Sequence, residues 1–411
     1  MTATPTTDPA DRLRSVSDRL RPILVDIAEG AVEREIQREL PYAAVESLRA
    51  AGFASLRVPV EQGGGGLSFT ELIDVLIELA RADSNLPQLL RGHIGFVEHV
   101  LATPKMPARD FWISQLVTGA LIGNAVSERT GNLSEPDTRI VRAGDGWTIT
   151  GTKYYSTGSI FADWIFANGF ADGRYATALV PARSPEVRRD DDWDGFGQRL
   201  TGSGTTVFAD APVQADHVAL APTGLLPLNT RPAIFQLVLL ATLAGIAQAV
   251  RDDAVAFVRQ RSRSGHGALV ELPRYDPQIQ QVVGEIAGYA HAATAAVHES
   301  ARAIEKLQVL EQRESATDAD YAAADAAVFL SQGPVIDLTL RAATELFRAC
   351  GASATSQSRA LDRHWRNART IATHNPEVFR ARALGNHLLN DGSLSMIGFT
   401  PHVEPRAEGS D

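Results

Sequence analysis

The sequence predicts an α+β protein in three parts: an N-terminal helical domain, a central antiparallel β-barrel or sandwich, and a C-terminal four-helix bundle domain. Three observations lead there. Residues 1–117 and 223–411 repeat apolar positions at steps of three and four, the period of a helix. Residues 118–222 instead carry short β-rich runs bounded by Gly, Asp and Pro. At 411 residues the chain also exceeds the usual single-domain range, so two or three packed units are expected.

In the first part, Leu72, Val75, Leu76 and Leu79 form one stripe, with Ser68 placed as its N-cap. An earlier helix ends near Ala51, and a glycine run at 63–66 lies between them. Four glycines suggest a phosphate loop. No Lys-Ser/Thr follows, however, and no strand leads into a helix there, so a plain connection is the reading. The middle part has strand-like runs at 138–141, 147–150, 164–167 and 177–180. In the last part, Ile279, Val282, Ile286, Tyr289 and Ala293 make one narrow stripe, and Ile336, Leu340, Ala343, Phe347 and Cys350 make another. Long helices with such stripes pack as a bundle. The Ala-rich stretch 322–327 allows close helix approach and hints at an oligomer. Only the two termini read as disordered tails.

Composition excludes several classes. Apolar residues make up 44% and charged residues 21%, the profile of an ordinary globular protein. A net charge of −10 without a basic block argues against nucleic acid as a partner. The single cysteine, Cys350, cannot form an intrachain disulfide, fits a reducing compartment and sits on an apolar stripe as a packing residue. Residues 1–11 are polar and lack the apolar core of a secretory signal. The most apolar run, 234–249, contains Gln236 and Thr242 and is shorter than the ~20 residues that span a bilayer. A buried helix, a cytoplasmic protein and no membrane partner are therefore expected. No His/Cys/carboxylate group has metal-ligand spacing, so no metal is expected.

Two segments of the β-part carry chemistry. Asn124-Ala125-Val126-Ser127-Glu128-Arg129-Thr130-Gly131-Asn132 ends a strand in a polar loop, which alone is the usual stuff of a turn. Gly151-Thr152-Lys153-Tyr154-Tyr155-Ser156-Thr157-Gly158-Ser159 reads as a strand ending in small hydroxyls. Such hydroxyls can bond a ring nitrogen without blocking the ring face. Their bland reading is a polar strand end.

Taken together in this three-part layout, the two segments resemble those that line the flavin in the acyl-CoA dehydrogenase superfamily. Ser159 departs from the Gly/Ala of that pattern but stays small. Gly197-Gln198-Arg199-Leu200-Thr201-Gly202-Ser203 and Asp210-Ala211-Pro212-Val213 resemble two further stretches of the family. Phe257-Val258-Arg259-Gln260-Arg261 resembles its aromatic-x-x-x-Arg, whose Arg reaches a flavin phosphate of a neighbouring subunit. An arginine suits that contact because it offers a charged, forked donor set. Without the resemblance, Arg261 reads as part of a solvated helix face. The likeness covers almost the whole chain and implies a flavin between the β-domain and the helices, in a homotetramer.

Dehydrogenases of the family need a carboxylate base, often in Ile-Tyr-Glu-Gly-Thr. Here Ile371-Ala372-Thr373-His374-Asn375 and Pro376 stand in its place, and Thr373 cannot act as that base at neutral pH. The run Leu361-Asp362-Arg363-His364-Trp365-Arg366, the His374-Asn375-Pro376 turn and Gly351-Ala352-Ser353 instead resemble a reduced-flavin monooxygenase branch. That branch implies reduced FMN, with FAD as the alternative, delivered by a separate NAD(P)H:flavin reductase. The absence of a Rossmann glycine fingerprint fits a chain that does not itself bind NAD(P)H. Oxygen transfer from a flavin C4a-hydroperoxide to S, N or aromatic C of a small organic substrate is the expected chemistry.

The resemblance implies His93, Ser156 and His374 as catalytic residues. It implies flavin contacts from Asn124, Ser127, Thr130, Ser156, Thr157, Trp193, Arg261, Gly351 and Ser353. Each has a plainer reading: a helical His is commonly a satisfied core residue, and a Trp commonly packs. Arg363, His364 and Arg366 read as interface residues with bundle partners. The competing functions are an FAD-dependent acyl-CoA dehydrogenase and a catalytically silent scaffold.

Overall fold

The computed structural model describes residues 9–129, 136–221, 232–265, 267–392 and 394. Helices α1 (Pro9–Gln37), α2 (Tyr42–Ala50), α3 (Phe69–Ala82), α4 (Asn85–Leu89), α5 (Arg91–Ala102) and α6 (Arg109–Val117) come first. Ser68 caps α3 as its sequence predicts. Its hydroxyl accepts from Glu71 N–H at 3.3 Å, and the Glu71 carboxylate accepts from Ser68 N–H at 2.6 Å. Leu72, Val75, Leu76 and Leu79 are all buried. The glycine run folds back on the chain before it: Gly65 N–H donates to Ser55 O and Leu67 N–H to Leu56 O, both at 2.9 Å. A Cβ on Gly64 would stand 2.2 Å from Val58 O. These glycines serve close backbone approach.

The middle part forms one eight-stranded sheet. Its strands are β1 (Ile122–Ala125), β2 (Arg139–Ala143), β3 (Gly146–Lys153), β4 (Trp164–Ala171), β5 (Arg174–Pro181), β6 (Val187–Arg189), β7 (Thr206–Val213) and β8 (Val218–Leu220). The order is β6-β7-β3-β2-β4-β5-β8, with β1 also on β4. Most pairs are antiparallel. β1, however, runs parallel to β4, with Ile122 opposite Trp164, and β2 meets the other end of β4 in the same sense, Arg139 opposite Phe170. The sheet is therefore mixed where the sequence predicted an antiparallel one. A period of two identifies strands but not their direction, and the β2–β3 hairpin between β1 and β4 gives the chain length to return parallel. Trp147, Ile149, Ile165 and Phe208 fill the core of this sheet. Pro212 lies on β7 beyond the reach of β6, where a missing N–H costs no ladder bond.

The last part holds three long helices, α7 (Pro232–Gln260), α8 (Pro277–Gln312) and α9 (Asp318–Cys350), and two shorter ones, α10 (Arg363–His374) and α11 (Glu377–Asn390). α7 is longer than the apolar run predicts. By length and composition its 29 residues would cross a membrane, but most of that stretch is buried inside the fold. Its stretch before Arg251 is apolar on nearly every face because α3, α5, α8, α9 and α10 pack around the helix. Cys350 is fully buried, and burial pushes its thiol up to about 11, so it packs and is not a nucleophile at neutral pH.

Neutral amides tie the three parts together. Asn85 Oδ1 accepts from Leu200 N–H at 3.2 Å, and Asn367 Oδ1 accepts from Gln198 N–H at 2.7 Å. Asn367 Nδ2 donates to Ser84 Oγ at 3.0 Å. Arg363, His364 and Arg366 of α10 were expected to find bundle partners, and two of the three do. Arg363 and His364 bond Asp253 of α7 at 3.0 and 2.7 Å, and Arg366 bonds Glu35 of α1 at 2.7 Å. Burial acts to raise the Asp253 carboxyl, but His364 and Arg363 outweigh it and hold the pKa at about 2.

Candidate functional site

The β-domain contributes a wall of small hydroxyls. Ser156 follows β3 in a turn, with Tyr155 before it at a φ of 56°. It is 1% exposed, and its Oγ has no hydrogen-bond partner in the protein. A buried hydroxyl is rarely left so unless something else satisfies it. Thr157 is engaged: its Oγ1 lies 2.8 Å from Ser203 Oγ, which lies 2.7 Å from Thr201 Oγ1. Thr157 O accepts from Asn124 N–H at 3.4 Å, bringing the two motif segments side by side. Ser127 O accepts from Tyr154 N–H at 2.8 Å.

Two other motif residues hold this wall in place. Lys153 is fully buried, and its Nζ donates to Glu128 at 2.5 Å and to Asn168 Oδ1 at 2.7 Å. Glu128 also accepts from Thr138 Oγ1 at 2.6 Å and from Asp137 N–H at 2.7 Å. Burial works against ionised Glu128, and the bonds from Lys153 and Thr138 overcome it, leaving its pKa lowered.

The helices supply a second polar group. His374 ends α10 and is exposed. Arg91, the first residue of α5, donates from Nη1 to His374 Nε2 at 3.1 Å. Arginine has no acceptor, so Nε2 is the bare nitrogen and the ring is neutral with its proton on Nδ1. Crowding by the protein, then the charge of Arg91, hold the ring's pKa well below the usual histidine range. Beyond His374 runs a chain of amides. Asn375 Nδ2 donates to Gln236 Oε1 at 2.8 Å, and Arg380 donates to Gln236 and Gln332 at 3.0 Å each.

His93 lies two residues after Arg91 but faces away from this cluster. It is 2% exposed; its Nε2 meets Ala54 O at 3.0 Å, and its Nδ1 accepts from Ile122 N–H at 3.3 Å. Both nitrogens are taken by backbone, and burial, then the charge of Arg49, lower the pKa to about 4 against the pull of the Ala54 bond. This geometry gives His93 to the seam between α5, the 53–55 turn and β1, and it departs from the expected catalytic role.

The remaining expected residues divide. Trp193 Nε1 donates to Gly197 O at 3.2 Å, and its ring meets Tyr155 edge-on at 5.8 Å beside the hydroxyl wall. Asn124 Oδ1 lies against Gly92, where a Cβ would come within 2.8 Å. Arg261 caps the end of α9 through Cys350 O at 3.1 Å, next to Gly351 at a φ of 70°, and Ser353 is exposed nearby. This group surrounds neither Ser156 nor His374 within the single chain. Thr130 lies outside the described residues.

Sequence reasoning did not single out Arg91, Gln236 or Arg380 for the cluster around His374. Arg91 stands two residues before His93, and periodicity alone does not say which of the two side chains meets His374. A cleft of about 1110 Å³ opens between α3, α5 and α8, lined by Arg57, Glu98, Gly95 and Phe235 among others. Ser156 and His374 do not line it. Phe235 touches both places: its ring packs on Gly95, and its carbonyl accepts from Arg91 Nε at 3.1 Å.

The residues fit a flavin: Ser156 Oγ is an orphaned buried hydroxyl for a ring nitrogen, and Trp193 and Tyr155 form an aromatic flank beside it. Comparison with known proteins agrees. Residues 15–120 match the acyl-CoA dehydrogenase N-terminal domain, and residues 237–376 match its C-terminal domain. A probable FMNH2-dependent monooxygenase, SfnC of Pseudomonas putida, is 30% identical over 389 residues, covering 90% of this chain and 94% of that protein. Dibenzothiophene monooxygenase of Rhodococcus erythropolis is 28% identical over 385 residues, 90% of this chain and 92% of the relative. The crystal structure of FMN-bound TdsC from Paenibacillus sp. A11-2 superposes with a TM-score of 0.84 at 27% identity, over 92% of this chain and 98% of that one. This chain belongs to the acyl-CoA dehydrogenase superfamily, in its flavin-dependent monooxygenase branch.

Proposed function

We propose that the protein is a two-component monooxygenase that uses reduced FMN from a separate NAD(P)H:flavin reductase to oxygenate a small organic substrate, with sulfur as the favoured target atom. The observation that carries this reading is Ser156 Oγ, buried and unpartnered in the protein, in the motif segment that resembles the flavin-lining strand of the family. Reduced flavin, when bound, supplies the two electrons that let one atom of dioxygen enter the substrate while the other leaves as water. The chain's own residues do the rest. Ser156 offers its hydroxyl to the flavin ring, and Thr157 and Ser203 fix the wall behind it. His374 holds its proton on Nδ1, with Nε2 taken by Arg91, so it acts as a hydrogen-bonding group and not as an imidazolium acid. Trp193 and Tyr155 shield one side from water, which such chemistry requires. The target atom is suggested by relatives named for a sulfur compound, dibenzothiophene.

A dehydrogenase reading is not favoured. Thr373, exposed, stands where the base would be. The buried Glu35, Asp83 and Glu98 are each paired with an arginine: Arg366, Arg34 and Arg57. We also propose a homotetramer in a reducing, cytoplasmic compartment. Val378, Phe379, Leu388 and Leu389 stand exposed on α11, an apolar face suited to a second copy, and Arg261 awaits a neighbouring subunit's flavin phosphate.

The test is stopped-flow absorbance. Protein loaded with anaerobically reduced FMN is mixed with oxygenated buffer. A near-ultraviolet transient, distinct from reduced and oxidised flavin and outlasting reoxidation of free flavin, is expected. Immediate reoxidation without it would sink the reading.

A further inference from the structure

Arg91 is a cation whose described partners are all neutral. Its Nε bonds Phe235 O, its Nη1 bonds His374 Nε2, and its guanidinium carbon lies 5.2 Å over the Phe235 ring. Among the described residues no carboxylate pairs with it. The other charge acting on it is Arg380, of the same sign, and burial with that repulsion lowers its pKa to about 10. Three other enclosed guanidiniums in this fold have a carboxylate: Arg34 has Asp83, Arg57 has Glu98, and Arg366 has Glu35. Enclosing a cation without a counter-ion is costly, and the arrangement persists only where something gains from it.

The unused donors point to what that is. With Nε and one Nη1 proton engaged, the other Nη1 proton and both Nη2 protons are left to form the forked, charge-assisted pair that arginine makes with a flat oxyanion. Arg91 is only half-buried, so this edge can be reached. Phe235, under the guanidinium, offers an apolar ring to the organic part of the same ligand and joins the site to the large cleft.

We propose that Arg91 is a substrate-positioning residue that binds a compact oxyanion, a sulfinate or carboxylate, on the molecule to be oxygenated. This rests on the monooxygenase reading above and narrows its substrate to small organic anions. Arg91 holds the head group, Phe235 packs the carbon chain, and the atom to be oxidised is held at a fixed distance from His374.

Calorimetry on the full-length protein, with and without FMN and at low salt, tests it. The probes are ethanesulfinate, propanoate and the neutral ethyl methyl sulfone. The wild type should bind at least one anion about tenfold more tightly than the sulfone, the scale of one charge-assisted pair. Preference for ethanesulfinate marks a sulfinate substrate, and preference for propanoate a carboxylate-bearing one. Arg91→Gln should erase the preference and Arg91→Lys should keep part of it, with melting temperature and FMN binding confirming that each variant folds. Two results would overturn the proposal: sulfone bound as tightly as the anions, or an anion preference that survives in Arg91→Gln. A third would as well: Arg91→Gln weakening reduced-FMN binding while leaving anion affinity untouched, which assigns the charge to the flavin. The stopped-flow transient separates the two readings. If it forms without anion preference, only this proposal fails; if it never forms, the oxygenation reading fails whatever the anions do.

Discussion

Two histidines on opposite sides of the same helix start show how differently this fold treats one residue type. Around His93 the chain closes completely: both ring nitrogens meet backbone, and the ring joins α5 to β1. Around His374 the wall is left ajar, with one nitrogen on Arg91 and the edge exposed. Both imidazoles are held neutral in the same way, first by burial and then by a nearby arginine, Arg49 for His93 and Arg91 for His374. Neutrality alone therefore does not mark a functional histidine. What its nitrogens touch does.

Replacing each in turn is the sharpest way to break that contrast. His374→Ala should lower turnover with reduced FMN by about 10²–10³-fold, the scale of one lost proton or hydrogen-bond partner, while barely moving the melting temperature. His93→Ala should do the reverse. It leaves Ala54 O and Ile122 N–H unpaired in a closed seam and opens a void, costing about 3 kcal/mol in urea unfolding, with turnover per folded molecule unchanged. Equal effects of the two on turnover would erase the distinction.

The seam also carries a pH signature. The folded-state pKa of His93, about 4, lies below its unfolded value of 6.5, so the unfolded chain binds the extra proton first. Stability from this residue is complete above pH ~6.5 and falls as pH drops toward 4, by about 3 kcal/mol in all. His374, shifted the same way, adds a smaller slope because its ring meets solvent. Urea titrations across that window should show the fall, and His93→Gln should flatten most of it.

Smaller effects sharpen the β-side. Ser156→Ala should weaken FMN binding about fivefold, one hydrogen bond's worth, and leave the flavin-free protein as stable or slightly more so, since an unsatisfied hydroxyl is removed. Unchanged FMN affinity by fluorescence quenching would take Ser156 out of the site. Asp253→Asn should cost roughly 1 kcal/mol, discounted because the carboxylate is about a third open to solvent. Its depressed pKa places that contribution above pH ~4, to be lost as pH falls through about 2, readable in acid-induced unfolding.

Much of this was legible in the chain and some was not, for identifiable reasons. The Ser68 cap, the α3 stripe and the buried Cys350 follow from spacing, because a helix repeats its environment every turn. The turn of small hydroxyls at Ser156 was readable as a strand end, but the missing partner of Ser156 Oγ appears only in three dimensions. Arg91 was passed over for His93. Two residues apart on a helix means about 200° of rotation, and which face meets the cleft is decided by where α7 packs, a contact from a distant part of the chain. The parallel β1–β4 pair escaped for the same reason: direction belongs to the connection and not to the strand. Lys153 and Glu128 were visible as motif letters, but their bond to each other is a three-dimensional fact.

The neutral bonds linking Ser84, Asn85, Gln198, Leu200 and Asn367 bear on how such chains diversify. The β-rich segment leaves two backbone N–H groups, those of Gln198 and Leu200, that side chains of the two helical segments satisfy. A crossover between this chain and a relative at the boundaries of the helical and β-rich parts would inherit donors from one parent and acceptors from the other. Recombinants should survive where both parents carry the same amides at these positions and fail elsewhere. By inheritance this molecule is then a single unit, whatever its change of periodicity suggests.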